Sequence, residues 1–545
     1  MSKNENSATN DDLSKEGIPT DASSRYALIS VSDRAGLETF AAGLVELGYT
    51  LLTTSGSGKF LKEHGLESTP IEEFTGQAEI LGGRVKTLHP KIHGGILAKR
   101  DNVEHQQDLA ANGLHYIDIV AVNLYPFEQQ LASNPSASTA EMVEFIDIGG
   151  PTMIRAAAKN AKDVYAVIDP LDYPRVLAEL KQGRGGDSEL RTELATKVFS
   201  QLAHYNLEIA RFLSRKGEVP GESGSSFYDG SVWQESQQLR YGENPQQQAA
   251  LFQSLAVNRS LAWKQLAGKE LSYNNLLDAD AGFRLIRSLY SIRERFSSHE
   301  PVCIMKHLTP CGVAIANTQE SALVLAKRSD PRSHFGGIIG FSSEVSEAAA
   351  QEVVKDFSEI VIAPSYSKGA LAVFEKRPNI RLIEVDFSVP LGREVRSTLF
   401  GFLSQEHDSS NCSVSQCELV AGEPSDDESV RNLELAWTTV THTKSNAIVL
   451  VNNQMLIGAG AGQTSRIDSV EVALYKAREH GHVVDGAVAA SDAFFPFPDS
   501  VERLANSGVK SIITPHGSKK DGEIIEVAKE LGVTLLFAPE RHFRH

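Results

Sequence analysis

The chain has 545 residues, of which 53 are Lys or Arg and 70 are Asp or Glu, so its formal net charge is −17. Hydrophobic residues make up 41% and charged residues 23%, which excludes a fully disordered, fibrous or membrane-embedded chain and favours several globular domains. The acidic excess disfavours non-specific binding to nucleic acid or to anionic membranes, so any anionic ligand needs a local cationic pocket.

Segment 1–24 at the start of the chain is expected to be a disordered tail, because Leu13 and Ile18 are its only branched apolar residues. Order is expected from Arg25 onward. Short apolar runs then predict buried strands over 26–31, 49–53, 117–124 and 164–168. Apolar residues at helical spacing predict helices over 33–47, 152–159, 173–181 and 188–213.

This alternation of strands and helices predicts an α/β domain with a mostly parallel sheet, whose ligand would lie at the carboxyl ends of the strands. Segment 214–230 is rich in Gly, Ser and charge, and is typical of a linker. More than 300 residues follow it, enough for two further subdomains, with the acidic segment 422–429 expected as a surface loop.

The four cysteines, Cys303, Cys311, Cys412 and Cys417, have no zinc-site spacing and are expected to be reduced thiols. No apolar run is long enough to span a bilayer, and the N-terminus lacks the apolar stretch of a signal peptide. A cytoplasmic protein is therefore expected.

Several segments resemble known nucleotide-binding or metal-binding motifs but lack residues that those motifs require. Segment 56–59 (GSGK) lacks the upstream glycine and the following Ser or Thr of a phosphate-binding P-loop, and 458–462 (GAGAG) lacks the third glycine of a dinucleotide fingerprint. His89 and His93 are spaced like metal ligands, but Pro90 lies between them and no HExxH glutamate is present. No zinc deaminase signature occurs either, so no catalytic metal is expected.

Four polar segments are candidates for ligand-binding loops: 30–34 (SVSDR), 54–57 (TSGS), 83–90 (GRVKTLHP) and 146–152 (IDIGGPT). Two of them follow predicted strands, and helix N-termini there would offer unpaired N–H groups to an anion. Helix capping by Ser32 or Asp33 is the simpler interpretation of the first. Together the loops favour a phosphorylated small molecule as ligand.

Ten motifs then recur in fixed order: GRVKTLHP-x-IHGG, VNLYPF, IDIGGPT-x-IRAAAKN, LRYGENP, GKELSYNNLLD, KH-x-x-PCG, KSNAI, GAGQ-x-SR, SDAFFPF and RHFRH. From Arg25 to His545 the chain resembles the bifunctional purine-biosynthesis family, in which a phosphoribosylaminoimidazolecarboxamide (AICAR) formyltransferase is joined to an inosine monophosphate (IMP) cyclohydrolase.

The resemblance implies a methylglyoxal synthase-like cyclohydrolase domain over 25–213, a linker over 214–236, and a formyltransferase over 237–545 built from two cytidine deaminase-like subdomains. It also implies 10-formyltetrahydrofolate as co-substrate, small-molecule nucleotide substrates, and a homodimer with shared transferase sites. Neither nucleic acid nor membrane is an expected partner.

For formyl transfer, the resemblance implies that His307 is the base and Lys306 its electrostatic partner, while Asn446 positions the reacting group. Adjacent residues on a regular strand point to opposite faces, so both can act only if the backbone bends, and 309–312 (TPCG) is the expected bend. The matching nucleotide contacts are Arg240, Tyr241, Gly336, Glu359, Arg466, Phe494 and Arg541. The matching folate contacts are Ile467, Asp499, Ser518 and Lys519.

For ring closure, the resemblance implies proton transfer by Lys159, amide binding by Asp147, a hydrogen bond from Tyr125 to the developing oxyanion, and a further role for Lys86. The matching nucleotide contacts are Ser30, Ser32, Arg34, Thr54, Ser55, Gly56, Ser57, Arg84, Thr87, Asn123, Ile148 and Gly149. Relative to the usual TGGTAK loop, glycine has moved from position 55 to 58.

Two other functions fit parts of the sequence. The chain could be a regulatory protein whose first domain senses a phosphorylated metabolite and whose second domain is degenerate. It could also be a methylglyoxal synthase-like lyase, by analogy of fold alone.

Overall fold

A computed structural model describes residues 25–183, 189–214, 230–255, 262–296, 299–408 and 412–545. The predicted tail and most of the predicted linker lie outside these residues. The chain forms two compact units, the first reaching Gln234 with a short segment from Gln253, and the second comprising the rest. The division falls within a hairpin of β6 (Trp233–Leu239) and β7 (Ala249–Ser254).

The first unit contains a five-stranded sheet in the order β3-β2-β1-β4-β5, with every neighbouring pair parallel. Its strands are β1 (Arg25–Ser30), β2 (Tyr49–Thr53), β3 (Thr69–Pro70), β4 (Ile117–Val122) and β5 (Tyr165–Val167). The strand order reverses between β1 and β4, which creates the crevice where α/β sheets bind ligands.

Helices cover both faces of this sheet. They are α1 (Leu37–Glu46), α2 (Ser55–Glu63), α3 (Ile71–Thr75), α4 (Pro90–Leu97), α5 (Val103–Ala111), α6 (Phe127–Ser133), α7 (Thr139–Val143), α8 (Gly149–Lys159), α9 (Tyr173–Lys181) and α10 (Glu189–Ser214). One apolar cluster includes Ile92 and Met153, and the opposite cluster includes Phe40 and Leu61. The predicted parallel α/β domain is confirmed.

Most predicted elements of this unit are present, but α1 begins at Leu37 rather than at residue 33. Gly36 precedes it with a φ of 67°, a left-handed conformation that glycine adopts without the steric cost of a Cβ. The interpretation of Ser32 or Asp33 as the helix cap is therefore wrong, because residues 31–35 form a loop ahead of the helix.

The second unit is built on a twelve-stranded sheet in the order β16-β21-β20-β19-β17-β18-β10-β9-β11-β12-β13-β8. Its strands are β8 (Trp263–Ala267), β9 (Glu300–Lys306), β10 (Thr309–Ala316), β11 (Ile338–Phe341), β12 (Ile360–Ala363), β13 (Arg381–Val385), β16 (Glu418–Ala421), β17 (Ile448–Asn452), β18 (Met455–Gly460), β19 (Val488–Ser491), β20 (Ser511–Pro515) and β21 (Thr534–Ala538). A separate hairpin consists of β14 (Glu394–Thr398) and β15 (Gly401–Gln405).

The helices of this unit are α11 (Tyr273–Ile292), α12 (Gln319–Ser329), α13 (Glu347–Val353), α14 (Lys368–Phe374), α15 (Asp427–Val440), α16 (Arg466–Glu479), α17 (Asp499–Ala505) and α18 (Asp521–Glu530). The predicted loop over 422–429 extends only to Asp426, whose side chain accepts a hydrogen bond from the Ser429 N–H (2.7 Å) and so caps α15. No helix within the described residues is long and apolar enough to cross a bilayer.

The sheet is an internal duplication. The first repeat, β8 to β13, and the second repeat, β16 to β21, each follow the order β-α-β-β-α-β-α-β-α-β, and each has the same strand arrangement. The repeats join where β10 pairs antiparallel with β18, at Ala314 and Met455. This duplication provides the two subdomains that the sequence predicts.

Candidate active sites

A cavity of about 860 Å³ opens in the first unit at the carboxyl ends of β1, β2 and β4. The four candidate loops all contribute to its wall. The predicted residues that line it are Ser30, Ser32, Arg34, Thr54, Gly56, Ser57, Arg84, Lys86, Thr87, Asn123, Tyr125, Asp147, Ile148 and Gly149. Ser55 and Lys159 are not among its lining residues.

Asn123, directly after β4, fixes the loop that follows β1. Its carboxamide oxygen accepts hydrogen bonds from the N–H groups of Ser32 (2.6 Å) and Asp33 (3.0 Å), and its amide donates to the Asp33 carbonyl (2.9 Å). The loop is therefore held by a neighbouring strand end rather than by a helix cap.

The first turn of α2 faces the same cavity. Thr54 occupies the N-cap position but makes no side-chain capping hydrogen bond, so the first N–H groups of the helix are available to an anion. The Ser57 hydroxyl accepts a hydrogen bond from the Val31 N–H (3.0 Å), which ties this turn to the β1 loop. A Cβ at Gly58 would lie 2.6 Å from Thr53 Oγ1, so the displaced glycine allows α2 to approach β2.

Three cations line the cavity, two of them paired with carboxylates. Arg84 contacts Glu144, and Lys86 contacts Glu79. The Arg34 guanidinium lies 5.3 Å from the centre of the Phe60 ring, beside α2. Arg34 and the N-terminus of α2 supply most of the local positive charge that the acidic chain requires, because Glu144 and Glu79 offset the charges of Arg84 and Lys86.

Asp147 lies at the start of α8. Its carboxylate accepts a hydrogen bond from the Gly150 N–H (2.9 Å), and a Cβ at Gly150 would lie 2.3 Å from the other carboxylate oxygen. Burial raises the pKa of Asp147, although the N–H groups of Gly150, Tyr125 and Gly149 oppose that rise. A carboxyl group so placed can bind an amide, and its raised pKa favours a role in proton exchange.

Lys159 is the exposed last residue of α8, ten residues beyond Gly149. At 1.5 Å per residue, this separates it from the start of the helix by about 15 Å. Conversely, Val143, Glu144 and Met153 line the cavity without having been predicted. Glu144 follows a short helix, and no sequence pattern connects it with Arg84, 60 positions earlier.

In the second unit, the β9–β10 hairpin presents Lys306 and His307. His307 and Leu308 form its two-residue turn, with φ values of 50° and 60°, and Lys306 pairs with Thr309. The bend expected at 309–312 is present as a β-bulge between Pro310 and Gly312, and the His307-Leu308 turn adds a second, sharper bend just before it. Two non-glycine residues in the left-handed region are costly, and such strain is concentrated at functional sites.

This turn is tied to neighbouring segments. The Lys306 ammonium donates a hydrogen bond to the Phe335 carbonyl (2.8 Å), next to Gly336, and the Leu308 N–H donates to Asp278 (2.8 Å). Glu359 directly precedes β12. Its N–H donates to the Gly337 carbonyl (3.2 Å), and its carboxylate pairs with Arg381 (2.6 Å).

Asn446 precedes β17 in the second repeat. Its carboxamide oxygen accepts a hydrogen bond from Arg466 (2.8 Å), and its amide donates to the Gln463 carbonyl (3.0 Å). Arg466 is only 6% exposed and pairs with the fully buried Asp492. The Arg466 guanidinium is thus enclosed by protein partners, whereas a direct phosphate contact requires a free face.

The strand directions place the His307 turn and the Asn446 network at the same end of the strands. β10 begins at the His307 turn and runs antiparallel to β18, so the start of β10 and the end of β18 share an edge. Gly460, which ends β18, pairs with Ile448 just after Asn446, and Ile448 also pairs with Ser491 at the end of β19. The Asn446 network therefore lies at the same edge as His307.

The remaining predicted residues of this unit are spread over several segments. Arg240 lies 5.1 Å from the Tyr241 ring centre, and Arg541 lies 4.7 Å from the Phe543 ring centre. Phe494 is half-buried after β19, and Ile467 packs against the core from α16. Asp499 begins α17, while Ser518 and the exposed Lys519 follow β20.

One cluster of side chains in the described residues has metal-like geometry: Glu128, His204 and Glu208 in the first unit. Each already has a protein partner, since His204 pairs with Glu128 (3.0 Å) and Arg211 contacts Glu208. His89 instead caps α4, accepting a hydrogen bond from the Lys91 N–H (3.1 Å).

Comparison with known proteins identifies the family of the chain. The AICARFT/IMPCHase bienzyme family model matches residues 157–476, and the MGS-like domain model matches residues 36–152. The chain belongs to the AICARFT/IMPCHase bienzyme family. It is 44% identical over 526 residues to the "Bifunctional purine biosynthesis protein PurH" of Enterococcus faecalis (strain ATCC 700802 / V583), covering 96% of this chain and 100% of that protein.

A solved chain described as "Crystal structure of ForH" is 37% identical, with a TM-score of 0.33, and covers 36% of this chain and 100% of its own. As a member of the bienzyme family, the chain is a bifunctional enzyme. It carries out the last two steps of purine biosynthesis, formyl transfer and the cyclohydrolase reaction. Its substrates are small molecules, and its formyl donor is a folate.

Proposed function

We propose that the first-unit cavity closes the ring of the formylated carboxamide nucleotide (FAICAR) to give IMP, and that the His307 edge of the second unit transfers the formyl group from 10-formyltetrahydrofolate to AICAR. The observation that carries the proposal is the cavity itself, which combines three cations, open helix N–H groups and the half-buried Asp147 at one strand-end crevice.

For ring closure, the phosphate would lie at the first turn of α2, near Ser57 and Arg34. The carboxamide nitrogen attacks the formyl carbon within one molecule, so modest acid–base assistance suffices. Asp147 would hold the amide through its half-buried carboxyl group, and Tyr125, which is 52% exposed at the cavity wall, would bind the developing oxyanion. Lys86 and Lys159 remain proposed participants in proton transfer.

For formyl transfer, the amine of AICAR is a weak nucleophile because its lone pair is delocalised into the ring and the carboxamide. His307 would remove its proton, and the Lys306 ammonium would stabilise charge on the attacked formyl oxygen. Asn446 would hold the reacting group, and Arg466 would act as a positioning residue by fixing the Asn446 carboxamide. Every one of these roles is assigned to a side chain, and the proposal includes no catalytic metal.

The remaining predicted contacts complete the proposal. Arg240, Tyr241 and Arg541 would bind the nucleotide with Gly336, Glu359 and Phe494, while the folate would contact Ile467, Asp499, Ser518 and Lys519. We also propose a cytoplasmic homodimer with shared transferase sites. Its support is the β14–β15 hairpin, where Leu399 and Phe400 are 94% and 96% exposed, because adjacent exposed apolar side chains mark protein contacts.

Two single substitutions test the assignment of one reaction to each unit. His307→Ala should lower formyl transfer by about 10²–10⁴-fold, the usual loss when a general base is removed. Asp147→Asn should lower ring closure, which is assayed separately with formylated nucleotide. Each variant is the control for the other, since the second activity should stay within a factor of about two of the parent enzyme.

A folded His307→Ala variant that retains parental formyl transfer would contradict the assignment of the base. Retention of ring closure by Asp147→Asn would contradict the role of the cavity. Circular dichroism and urea unfolding of the substituted unit establish that each variant is folded.

A further inference from the structure

Cys412 and Cys417 form a pair of adjacent thiols in the second unit. Each sulfur lies 3.6 Å from the carbonyl oxygen of Ser413, and the two thiols are within hydrogen-bonding reach of each other. A single 3-10 turn, Val414–Gln416, separates them, and Cys417 N–H donates to the Val414 carbonyl (3.1 Å). The turn therefore brings the two cysteines together locally.

The other two cysteines are placed differently. Cys303 is fully buried and Cys311 is 9% exposed, and they belong to apolar clusters on opposite faces of the twelve-stranded sheet. Burial raises the pKa of each to about 12. Cys412 and Cys417, by contrast, are both half-buried, so a small molecule in solvent can approach them.

The environment makes the two thiols unequal. Burial raises the pKa of Cys417 to about 12, and proximity to Cys412 adds to that rise. Burial also raises the pKa of Cys412, but the hydrogen bond with Cys417 opposes it. Cys417 is therefore the weaker acid, and Cys412 is the more nucleophilic thiol of the two.

We propose that Cys412 and Cys417 are a redox modification site that forms a reversible disulfide by exchange with a low-molecular-weight disulfide such as glutathione disulfide. The Cys412 thiolate attacks one sulfur of glutathione disulfide, a mixed disulfide forms at Cys412, and one glutathione thiolate leaves. Cys417 then loses its proton and attacks Cys412 Sγ, and the second glutathione leaves. Two protein thiols are oxidised, and one glutathione disulfide is reduced to two glutathione molecules.

The turn between the two cysteines is held by contacts with the rest of the unit. Val414 is 5% exposed, and its N–H donates to the Glu434 carboxylate (2.9 Å), which also pairs with Arg295 (2.7 Å). The Ser413 N–H donates to the Gln416 side chain (2.8 Å). The turn is thus anchored in its reduced form.

The test incubates the full-length protein with excess glutathione disulfide at pH 8, followed by intact mass and peptide mapping. The parent protein should lose the mass of two hydrogen atoms, with the link mapped to Cys412 and Cys417. Cys417→Ser should instead accumulate one glutathionyl group on Cys412, because the resolving thiol is absent. Cys412→Ser should react much more slowly, because only the less nucleophilic thiol remains.

Cys303→Ala is the matched control and should form the same link at the parental rate. Four free thiols in the parent protein after prolonged incubation would overturn the proposal, as would a stable mixed disulfide on Cys412 with no internal link. Glutathionylation of Cys412→Ser at Cys417, at a rate equal to that of Cys412 in Cys417→Ser, would overturn the assignment of the nucleophile. Dithiothreitol should restore the reduced mass, which establishes reversibility.

Discussion

At the scale of single residues, the most constrained group is the ion pair of Arg466 and Asp492. Both are buried, Asp492 completely, and Asp492 also accepts a hydrogen bond from the Ala447 N–H (3.0 Å) next to Asn446. Breaking a buried pair from one side is costly because the remaining charge has no compensating partner.

Asp492→Asn should therefore lower the free energy of unfolding of the second unit by about 3–5 kcal/mol. Formyl transfer should also fall, because Arg466 would no longer hold the Asn446 carboxamide. Urea unfolding monitored by tryptophan fluorescence, together with the two assays, checks both effects. Asp485→Asn, an exposed substitution in the same unit, is the control. A variant with parental stability would show that Arg466 does not depend on Asp492.

The pair of His204 and Glu128 gives a pH dependence with a defined sign. The hydrogen bond from Glu128 raises the pKa of His204, against the effect of burial. Stability from a raised histidine pKa is fully present below the unfolded value of about 6.5 and is lost as pH rises through the folded value.

We expect the difference in free energy of unfolding between the parent protein and Glu128→Gln to be largest at pH 6, about 1 kcal/mol, and to shrink toward pH 9. Denaturant titrations of the first unit at several pH values measure it. A difference that stays constant from pH 6 to pH 9 would show that the pair does not titrate in this way.

At the scale of elements, the β14–β15 hairpin stands out because its turn is apolar. Leu399 and Phe400 occupy the tip, and Phe402 and Leu403 on β15 are 74% and 61% exposed. A tight turn in water normally carries polar residues or glycine, so this sequence is better suited to contact with another chain.

Leu399→Ser combined with Phe400→Ser should weaken the proposed homodimer by roughly 10⁵–10⁶-fold, since the dimer would lose four buried side chains, two from each chain, and each contributes about 2 kcal/mol. Sedimentation velocity over a dilution series measures the dissociation constant. Formyl transfer should become concentration-dependent, and ring closure should not. Leu531→Ser, at another exposed apolar position, is the control. An unchanged dissociation constant would exclude the hairpin from the interface.

Sequence patterns predicted some elements well and missed others for physical reasons. The strand over 49–53 and the helix over 173–181 have the predicted bounds, because local periodicity and turn residues define them. Asn123 holds Asp33 from about 90 positions away, and the enclosure of Arg466 depends on Asp492, so no local pattern could reveal either contact. The late start of α1 follows instead from the left-handed Gly36 directly before it. The left-handed conformation of Leu308 also runs against the preference of that bulky residue type.

At the scale of the whole molecule, the two compact units each have their own apolar core, so a core substitution should destabilise only the unit that contains it. Phe40 is fully buried and stacks on Tyr173 at 4.2 Å in the first unit, and Trp437 is 2% exposed in the second.

Phe40→Ala and Trp437→Ala should each cost about 3–5 kcal/mol in their own unit. Heat inactivation should then separate the activities, with ring closure lost at lower temperature in Phe40→Ala and formyl transfer lost at lower temperature in Trp437→Ala. Differential scanning calorimetry with both assays measures this. Equal shifts of both activities in either variant would show that the units unfold as one.

The duplicated sheet has an evolutionary implication. Both repeats retain a two-residue hairpin with left-handed backbone, His307-Leu308 in one and Asn453-Gln454 in the other, and the two turns lie at opposite ends of the strands. An ancestral gene doubling would have supplied every strand junction twice, releasing one member of each pair from selection. In the present enzyme, each repeat would then retain the ancestral function at some of its strand junctions, while the equivalent junctions of the other repeat were free to change.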